Sequence, residues 1–540
     1  LSSDEFERLD AAIDTLAFLT NELEAKGASI RRLRQMIFGS KTEKTDQVVG
    51  AVESDEAGAA KAAPDSTDDH GSDKSADVGD ASGPAPEPPP KKRKGHGRRS
   101  AAEYTGAEKV EVPHESLKAG DPCPECDTGK LYHQAEPAVL VRVTGMAPLS
   151  ALLYELERLR CNLCGEVFTA RAPEGVGEEK YDETAAAMIG LLKYGCGFPF
   201  NRLEKLEGSL GIPLPSGTEW EAAEQAAGVC EPVHQELMRQ AAQGELIHND
   251  DTTMKILGLD DPAAKQQNEG EADQERTGTF TSGIVAVGDN HRIALFFTGR
   301  QHAGENLADV LAQRAKEMPL PIQMCDAHSV NTAGDFETIV ANCNAHARRK
   351  FVEVAVDFPE EVAHVLETLR DVYHNDAIAK KEGMTAEQRL TFHQQQSGPL
   401  MEDLKTWLKT QLDEKKVEPN SGCGRAIKYM QKHWEKLTLF LKVAGAPLDN
   451  SVCERALKKA ILHRKGSMFY KTENGAHVGD LFMSLIHTCE LNGANPFDYL
   501  VELLRHPKEV AEAPADWMPW NYPATLARQG AGGASRDQAT

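Results

Sequence analysis

Apolar strands that end in acids, a further acid early in a late helix, and a strand–hairpin–helix–strand–strand–helix order predict an α/β multidomain protein. The core is predicted to be an RNase H-like mixed sheet with a helical insertion. An N-terminal helix, a zinc ribbon-like module and a helical, helix-turn-helix-like domain are predicted to precede it.

Residues 245–257 begin as an apolar strand and run into Asp250, Asp251 and Thr252, the last expected to help end it. Consecutive strand residues point to opposite faces, so only one of the two aspartates can be a primary ligand. Residues 279–298 alternate as a hairpin turning at 288–291. A helix is expected over 305–318, a strand ending at Asp326, another strand over 338–343 and a helix over 346–356. Residues 360–443 are mostly helical in composition. In 448–466, Asp449 and Asn450 are good N-cap residues, and Glu454 falls in the first turn, where the helix dipole favours a carboxylate. Arg455, Lys458 and Lys459 follow it, with Arg464 and Lys465 beyond. Taken alone, this stretch reads better as an exposed capped helix with an ordinary ion pair. Together with Asp250 and Asp326 it describes a two-metal phosphoryl-transfer site.

Upstream, Leu9, Ile13, Leu16, Leu19, Leu23, Ile30, Leu33 and Ile37 form a roughly heptad-spaced stripe, so residues 1–44 are read as an amphipathic helix that dimerises or packs on the body. Gly27 argues against a long uninterrupted coiled coil. Residues 45–90 are acidic, poor in large apolar groups and expected to be disordered. A basic arm, 91–118, opens with Lys91, Lys92, Arg93, Lys94, Arg98 and Arg99, a run suited to a DNA groove. Within 119–175, Cys123-x-x-Cys126 and Cys161-x-x-Cys164 have the spacing of a closed four-thiolate Zn²⁺ site, which leaves no position for catalysis. Residues 176–235 read as helices over 183–194, 202–210 and 216–229. The third carries Glu219, Glu221 and Glu224, a poor surface for a major groove, so a packing or dimer role stands level with DNA reading.

The formal charge of −24 sits awkwardly with DNA binding, yet much of the acidity lies in 51–90, and a cationic path can coexist with it. Eleven cysteines without a secretion signal predict thiols and metal sites rather than disulfides. The acidic, amphipathic N-terminus and the lack of eighteen consecutive apolar residues predict a soluble cytoplasmic protein. The first residue, Leu1, suggests a missing or unusually decoded initiator.

Five stretches in order resemble the insertion-sequence-sixty-six family of bacterial DDE transposases. They are the Asp250-Asp251-Thr252 segment, Asp326 at its strand end, Cys343-Asn-Ala-His-Ala-Arg-Arg-Lys-Phe351, Asp449-Asn-x-x-x-Glu-Arg455 and Trp517-Met-Pro-Trp-Asn521. Phe38-Gly-Ser-Lys-Thr-Glu-Lys44 and Gly95-His-Gly-Arg98 add to the resemblance. It implies an enzyme that binds terminal inverted repeats of double-stranded DNA and cuts and joins strands as a homodimer or larger synaptic assembly, with accessory proteins from the same element and a nucleoid location. It also implies that Asp250, Asp326 and Glu454 hold two Mg²⁺ or Mn²⁺ ions, with structural Zn²⁺ elsewhere. His346 is expected to be an active-site accessory, and Arg455 and Lys465 to contact DNA. Arg348, Arg349 and Lys350 read equally as phosphate contacts or as a solvated face. Pairing Cys343-x-x-His346 with Cys325-x-x-His328 in one zinc site would put Asp326 inside it, so that reading is set aside. Asn344 stands where the family has Trp, Cys325-Asp-Ala-His where it has Ala-Asp-Gly-Tyr, and Gly466-Ser-Met-Phe-Tyr470 keeps part of its Arg-Lys-Asn-Tyr-x-Phe. With all three acids present, a divergent active member is expected; a catalytically inactive DNA-binding regulator is the alternative. The core is expected to span 240–357 and 448–505, with the insertion at 358–447 and a C-terminal tail at 506–540.

Overall fold

The computed structural model describes residues 118–121, 147–160, 167–174, 180–260, 278–288, 290–334 and 336–536. The N-terminal helix, the acidic linker, the residues named in the basic arm and the four paired cysteines of the zinc module lie outside them. The described residues from Leu149 onward belong to one compact unit, the body that carries the sheet.

After a short antiparallel pair, β1 (Arg158–Arg160) and β2 (Val167–Thr169), three helices lead into the sheet: α1 (Glu183–Gly190), α2 (Phe200–Ser209) and α3 (Ser216–Ala241). Helix α1 is capped by the Asp182 carboxylate and runs on through a wider turn, Leu191–Gly195. Helix α3 continues well past the 229 expected from sequence and carries Pro232 within it. It buries Ala223, Ala226, Ala227, Cys230, Val233 and Leu237, and so is a packing helix along most of its length.

The sheet has five strands: β3 (Leu246–Thr253), β4 (Phe280–Val287), β5 (Arg292–Gly299), β6 (Ile322–Cys325) and β7 (Ile339–Asn342), in spatial order β5-β4-β3-β6-β7. The hairpin partners β4 and β5 are antiparallel to their neighbours, while β6 and β7 run parallel to β3. The strand β3 does not end at its acids as expected. Hydrogen bonding to β4 carries it through Asp250 and Asp251 to Thr253, because β4 is long enough to pair every one of those residues.

Between β5 and β6 lies α4 (Ala303–Leu311), shorter than the expected 305–318. After β7 come α5 (Asn344–Val352), α6 (Pro359–Lys381), α7 (Ala386–Gln396), α8 (Gly398–Asp413) and α9 (Gly422–Lys432). Their apolar faces (Phe351, Val365, Leu366, Leu404, Leu408, Ile427) close one core against Ile322 and Met324 of β6. A second core joins β3, β4 and β5 to α3, α4, α10 (Ser451–Ser467), α11 (Glu473–Leu491) and α12 (Pro496–Arg505). The segment read as a C-terminal tail belongs to this core: Trp517 and Met518 are fully buried, and the Tyr499 hydroxyl donates to Trp517 O at 2.7 Å. Among the described residues, no helix is long and apolar enough to cross a membrane.

Candidate functional site

Register builds the site. Parallel pairing sets Leu246 against Ile322 and His248 against Met324, and extending it by two residues brings Asp326 level with Asp250. Both carboxylates therefore emerge at the same end of two adjacent strands. One amide spans them: Asn331 Nδ2 donates to Asp326 Oδ1 at 2.6 Å and lies 3.4 Å from Asp250 Oδ1. Asn331 is held in turn, its backbone oxygen accepting from Asn249 Nδ2 and from Gln323 Nε2, each at 2.7 Å. Gln323 also donates to Asn249 Oδ1 at 2.9 Å, and Thr338 Oγ1 donates to Gln323 Oε1 at 2.7 Å. These amides are buried, so an unmade bond here would cost about 1–3 kcal/mol. The network fixes the loop after β6 before any ligand arrives. Gly304 permits it: a Cβ there would stand 2.0 Å from Thr332 O.

Strand alternation separates the two adjacent aspartates. Asp251 faces α4, where Ser282 Oγ donates to it at 2.7 Å and His302 Nδ1 lies 2.8 Å away. Asn306 Nδ2 donates to Ser282 Oγ at 2.9 Å, which completes that set. Asp250 faces α10 instead. Burial raises its carboxyl to about 7, against the Asp251 N–H bond that lowers it, and the Asp326, Glu454 and Asp251 carboxylates push the same way as burial. A buried acid crowded by acids is a site short of positive charge.

Helix α10 brings Glu454 to this face. Opposite Asp250 in the sheet is Gly283, where a Cβ would lie 2.9 Å from Leu457 Cδ2 and 3.4 Å from Cys453 Sγ. Its missing side chain lets α10 lie close on the sheet, and Cys453 Sγ donates to Gly283 O at 3.1 Å. Asn450 precedes the helix but does not cap it with its side chain, contrary to expectation. Its amide is spent on the sheet, donating to Asn249 O at 3.0 Å and lying 3.0 Å from His248 Nδ1. Burial lowers His248 to about 4, so the ring is neutral and its Nδ1–H donates to Asn450 Oδ1. The neighbouring Asp449 Oδ1 accepts from Ser451 N at 3.0 Å.

The β7–α5 junction stitches the same segment from the other side. Asn344 Nδ2 donates to Leu437 O and Leu448 O, and Asn450 N–H points to Cys343 Sγ at 3.2 Å. The residue that departs from the family pattern thus anchors the approach to α10. His346, one turn into α5, sits with Nδ1 3.6 Å from Glu454 Oε1, beyond hydrogen-bond range, and both atoms are buried without another partner. Cys343 Sγ completes a group of three ligand atoms within 4.8 Å of one another. Cys325 and His328 are not part of that group.

Beside the acids opens a cleft of about 230 Å³ lined by Asp326, His328, His346, Arg349, Lys350 and Tyr429. Lys350 Nζ lies over the Tyr429 ring, 4.4 Å from its centre. Arg455 is exposed, its Nη1 3.4 Å from Ser451 Oγ, and Lys465 is exposed at the far end of α10. Arg464, between α10 and the sheet, donates to Thr252 and Thr253 and pins the helix to the end of β3. Asp250, Asp326, Glu454 and His346, all named from sequence, are thus brought to one face. Sequence reasoning missed Asn331, Asn249 and Gln323 and took Asn450 for a cap; amides carry no spacing signal, because their partners are set by tertiary contact.

Carboxylate oxygens are the donors that hard divalent cations take. Burial and the neighbouring carboxylates raise Asp250, Glu454 Oε1 has no hydrogen-bond partner, and the donor set Asp250, Asp326 and Glu454 is the hard oxygen chemistry such ions take. Residues 179–478 match the family model described as "Transposase IS66 family". Two proteins of Sinorhizobium fredii (strain NBRC 101917 / NGR234), both described as uncharacterized, are similar over most of their length. One, y4jD, is 27% identical over 69% of this chain and 73% of its own; the other, y4hP, is 26% identical over 68% and 67%. A third from the same organism, y4qI, is 29% identical over 35% of each chain. With more than half of its length matched, the chain belongs to the IS66 family of transposases.

Proposed function

We propose that this protein is a DDE transposase that binds the terminal inverted repeats of its own element, cuts to expose 3′-hydroxyls and joins them to target DNA. Its core is read as RNase H-like, formed from 240–357 and 448–505 around an insertion at 358–447. The observation that carries the proposal is the convergence of Asp250 and Asp326 on the Asn331 amide, with Glu454, whose Oε1 lacks a hydrogen-bond partner, acting on the same Asp250.

Asp250, Asp326 and Glu454 would hold two Mg²⁺ or Mn²⁺ ions. Bound there, the ions supply the Lewis acidity that activates a water or 3′-hydroxyl and stabilises the departing 3′-oxygen. The chain's own part is to fix the acids through Asn331 and Asn450, so that little reorganisation is left for the reaction. His346 lies beside Glu454 and can orient it or pass a proton at Nδ1. The cleft with Arg349 and Lys350 offers cationic groups to a phosphate backbone next to Asp326, and Arg455 and Lys465 extend that character along α10. Two DNA ends imply a homodimer or larger assembly, to which the basic arm from Lys91 to Arg99 would add groove contacts and 123–164 a structural Zn²⁺. Accessory proteins of the same element would be further partners.

The test is Mg²⁺-dependent strand transfer on a pre-cleaved end of the parent element, comparing wild type with Glu454→Gln. Joining by the wild type, lost at least 10³-fold in the variant while end binding persists, is expected, in line with removal of a carboxylate that the reaction needs and end binding does not. Binding without joining in both proteins would point instead to an inactive, DNA-binding regulator.

A further inference from the structure

We propose that Cys343, His346 and Glu454 form a separate site for a borderline-soft cation such as Zn²⁺, and that its occupation withdraws Glu454 from the hard-metal site. The three ligand atoms already lie within 4.8 Å of one another. With bonds of about 2.0–2.3 Å, tetrahedral ligands stand roughly 3.3–3.6 Å apart, so side-chain shifts of about 1 Å close the group. The His346–Glu454 edge, at 3.6 Å, is near that spacing.

Chemistry points the same way. Cys343 and His346 are three residues apart across the start of α5, so the first turn carries both toward α10. Thiolate and imidazole favour zinc-like ions over Mg²⁺. Both His346 Nδ1 and Glu454 Oε1 are buried and lack a hydrogen-bond partner, an arrangement that a bound cation would satisfy. The Asn450 N–H at 3.2 Å from Cys343 Sγ is the kind of outer contact that steadies a metal-bound thiolate. His346 also lines the cleft, which gives an ion a way in and leaves a fourth position for water. As the metal–sulfur bond forms, the Cys343 thiol proton leaves to solvent. One carboxylate then serves two metals of different character, and zinc acts as a brake.

The site is tested with the full chain and Co²⁺, whose thiolate charge-transfer absorption reports cysteine ligation. The cysteines at 123, 126, 161 and 164 can bind Co²⁺ too, so the site is counted by difference. Wild type is expected to take up one more equivalent per chain than Cys343→Ser and than His346→Gln, whose position is partly exposed and so tolerant. Equal uptake and equal spectra in all three would overturn the proposal. The braking role rests on the function proposed above: Zn²⁺ should inhibit Mg²⁺-driven joining at least tenfold less in Cys343→Ser, each protein measured against its own zinc-free rate. Equal inhibition would remove the brake and leave the site. If no protein joins DNA, the transposase reading fails, and the cobalt count still decides the site.

Discussion

Asp250 and Asp251 are neighbours on one strand, yet their surroundings are opposite in kind. Asp251 is satisfied by a hydroxyl, itself braced by Asn306, and an imidazole, as a structural acid usually is. Asp250 is buried among carboxylates, with one backbone N–H and the far reach of a shared amide for company. On the function proposed above, unmet charge, rather than the presence of an acid, would mark the working face of this sheet. The opposite face spends its polar groups on stability.

The comparison can be broken by exchanging the two roles. Asp250→Asn is expected to abolish joining, by 10³-fold or more, and to leave stability unchanged or raised, since it removes a crowded buried charge. Asp251→Asn should retain most joining and lower stability by about 1–3 kcal/mol, as the contacts from Ser282 and His302 are lost or weakened. Denaturant unfolding alongside strand transfer separates the two effects.

A smaller effect is expected at the bridge. Asn331→Leu leaves Asp250 and Asp326 unpinned and should reduce joining by about 10–100-fold, with partial recovery at higher Mg²⁺ as the ions draw the acids together. A loss that no metal concentration relieves would mean that Asn331 acts on the fold instead. Gly283→Ala probes the approach of α10: overpacking against Leu457 should cost about 1–3 kcal/mol and lower joining with it, read by thermal unfolding and strand transfer.

The smallest effect concerns a buried acid remote from the site. Asp480 on α11 accepts from Thr298 N and approaches Thr298 Oγ1, both at 2.6 Å, and burial raises its carboxyl to about 7 against those bonds. Its folded value lies above the unfolded one near 4, so the folded chain holds the proton more tightly. Its contribution is full below pH 4 and is lost as pH rises toward 7. Asp480→Asn should therefore flatten the stability profile between pH 4 and 7, measured by denaturant midpoints across that window.

Much of this was legible in the sequence because it depends on local pattern. The hairpin turn at 288–291 and the helix that carries Glu454 follow from periodicity and turn chemistry. The acids stood out because two apolar runs lead into aspartates and a late helix carries a third acid in its first turn. What was not legible depends on partners far apart in the chain. Asn450 looked like a cap and is instead a tie to β3, and Asn344 looked like a departure and is an anchor. The end of β3 was misjudged because polar residues there are paired by β4, which no reading of 245–257 alone reveals. Trp517 resembled a motif and is core.

The most direct measurement is calorimetric titration of Mn²⁺ into the wild-type chain, Asp250→Asn and Asp251→Asn. Binding that survives in Asp251→Asn and falls at least tenfold in Asp250→Asn is the expected result. Equal weakening in both variants, or none in either, would contradict the claim that the unsatisfied face of β3 is the metal-holding one.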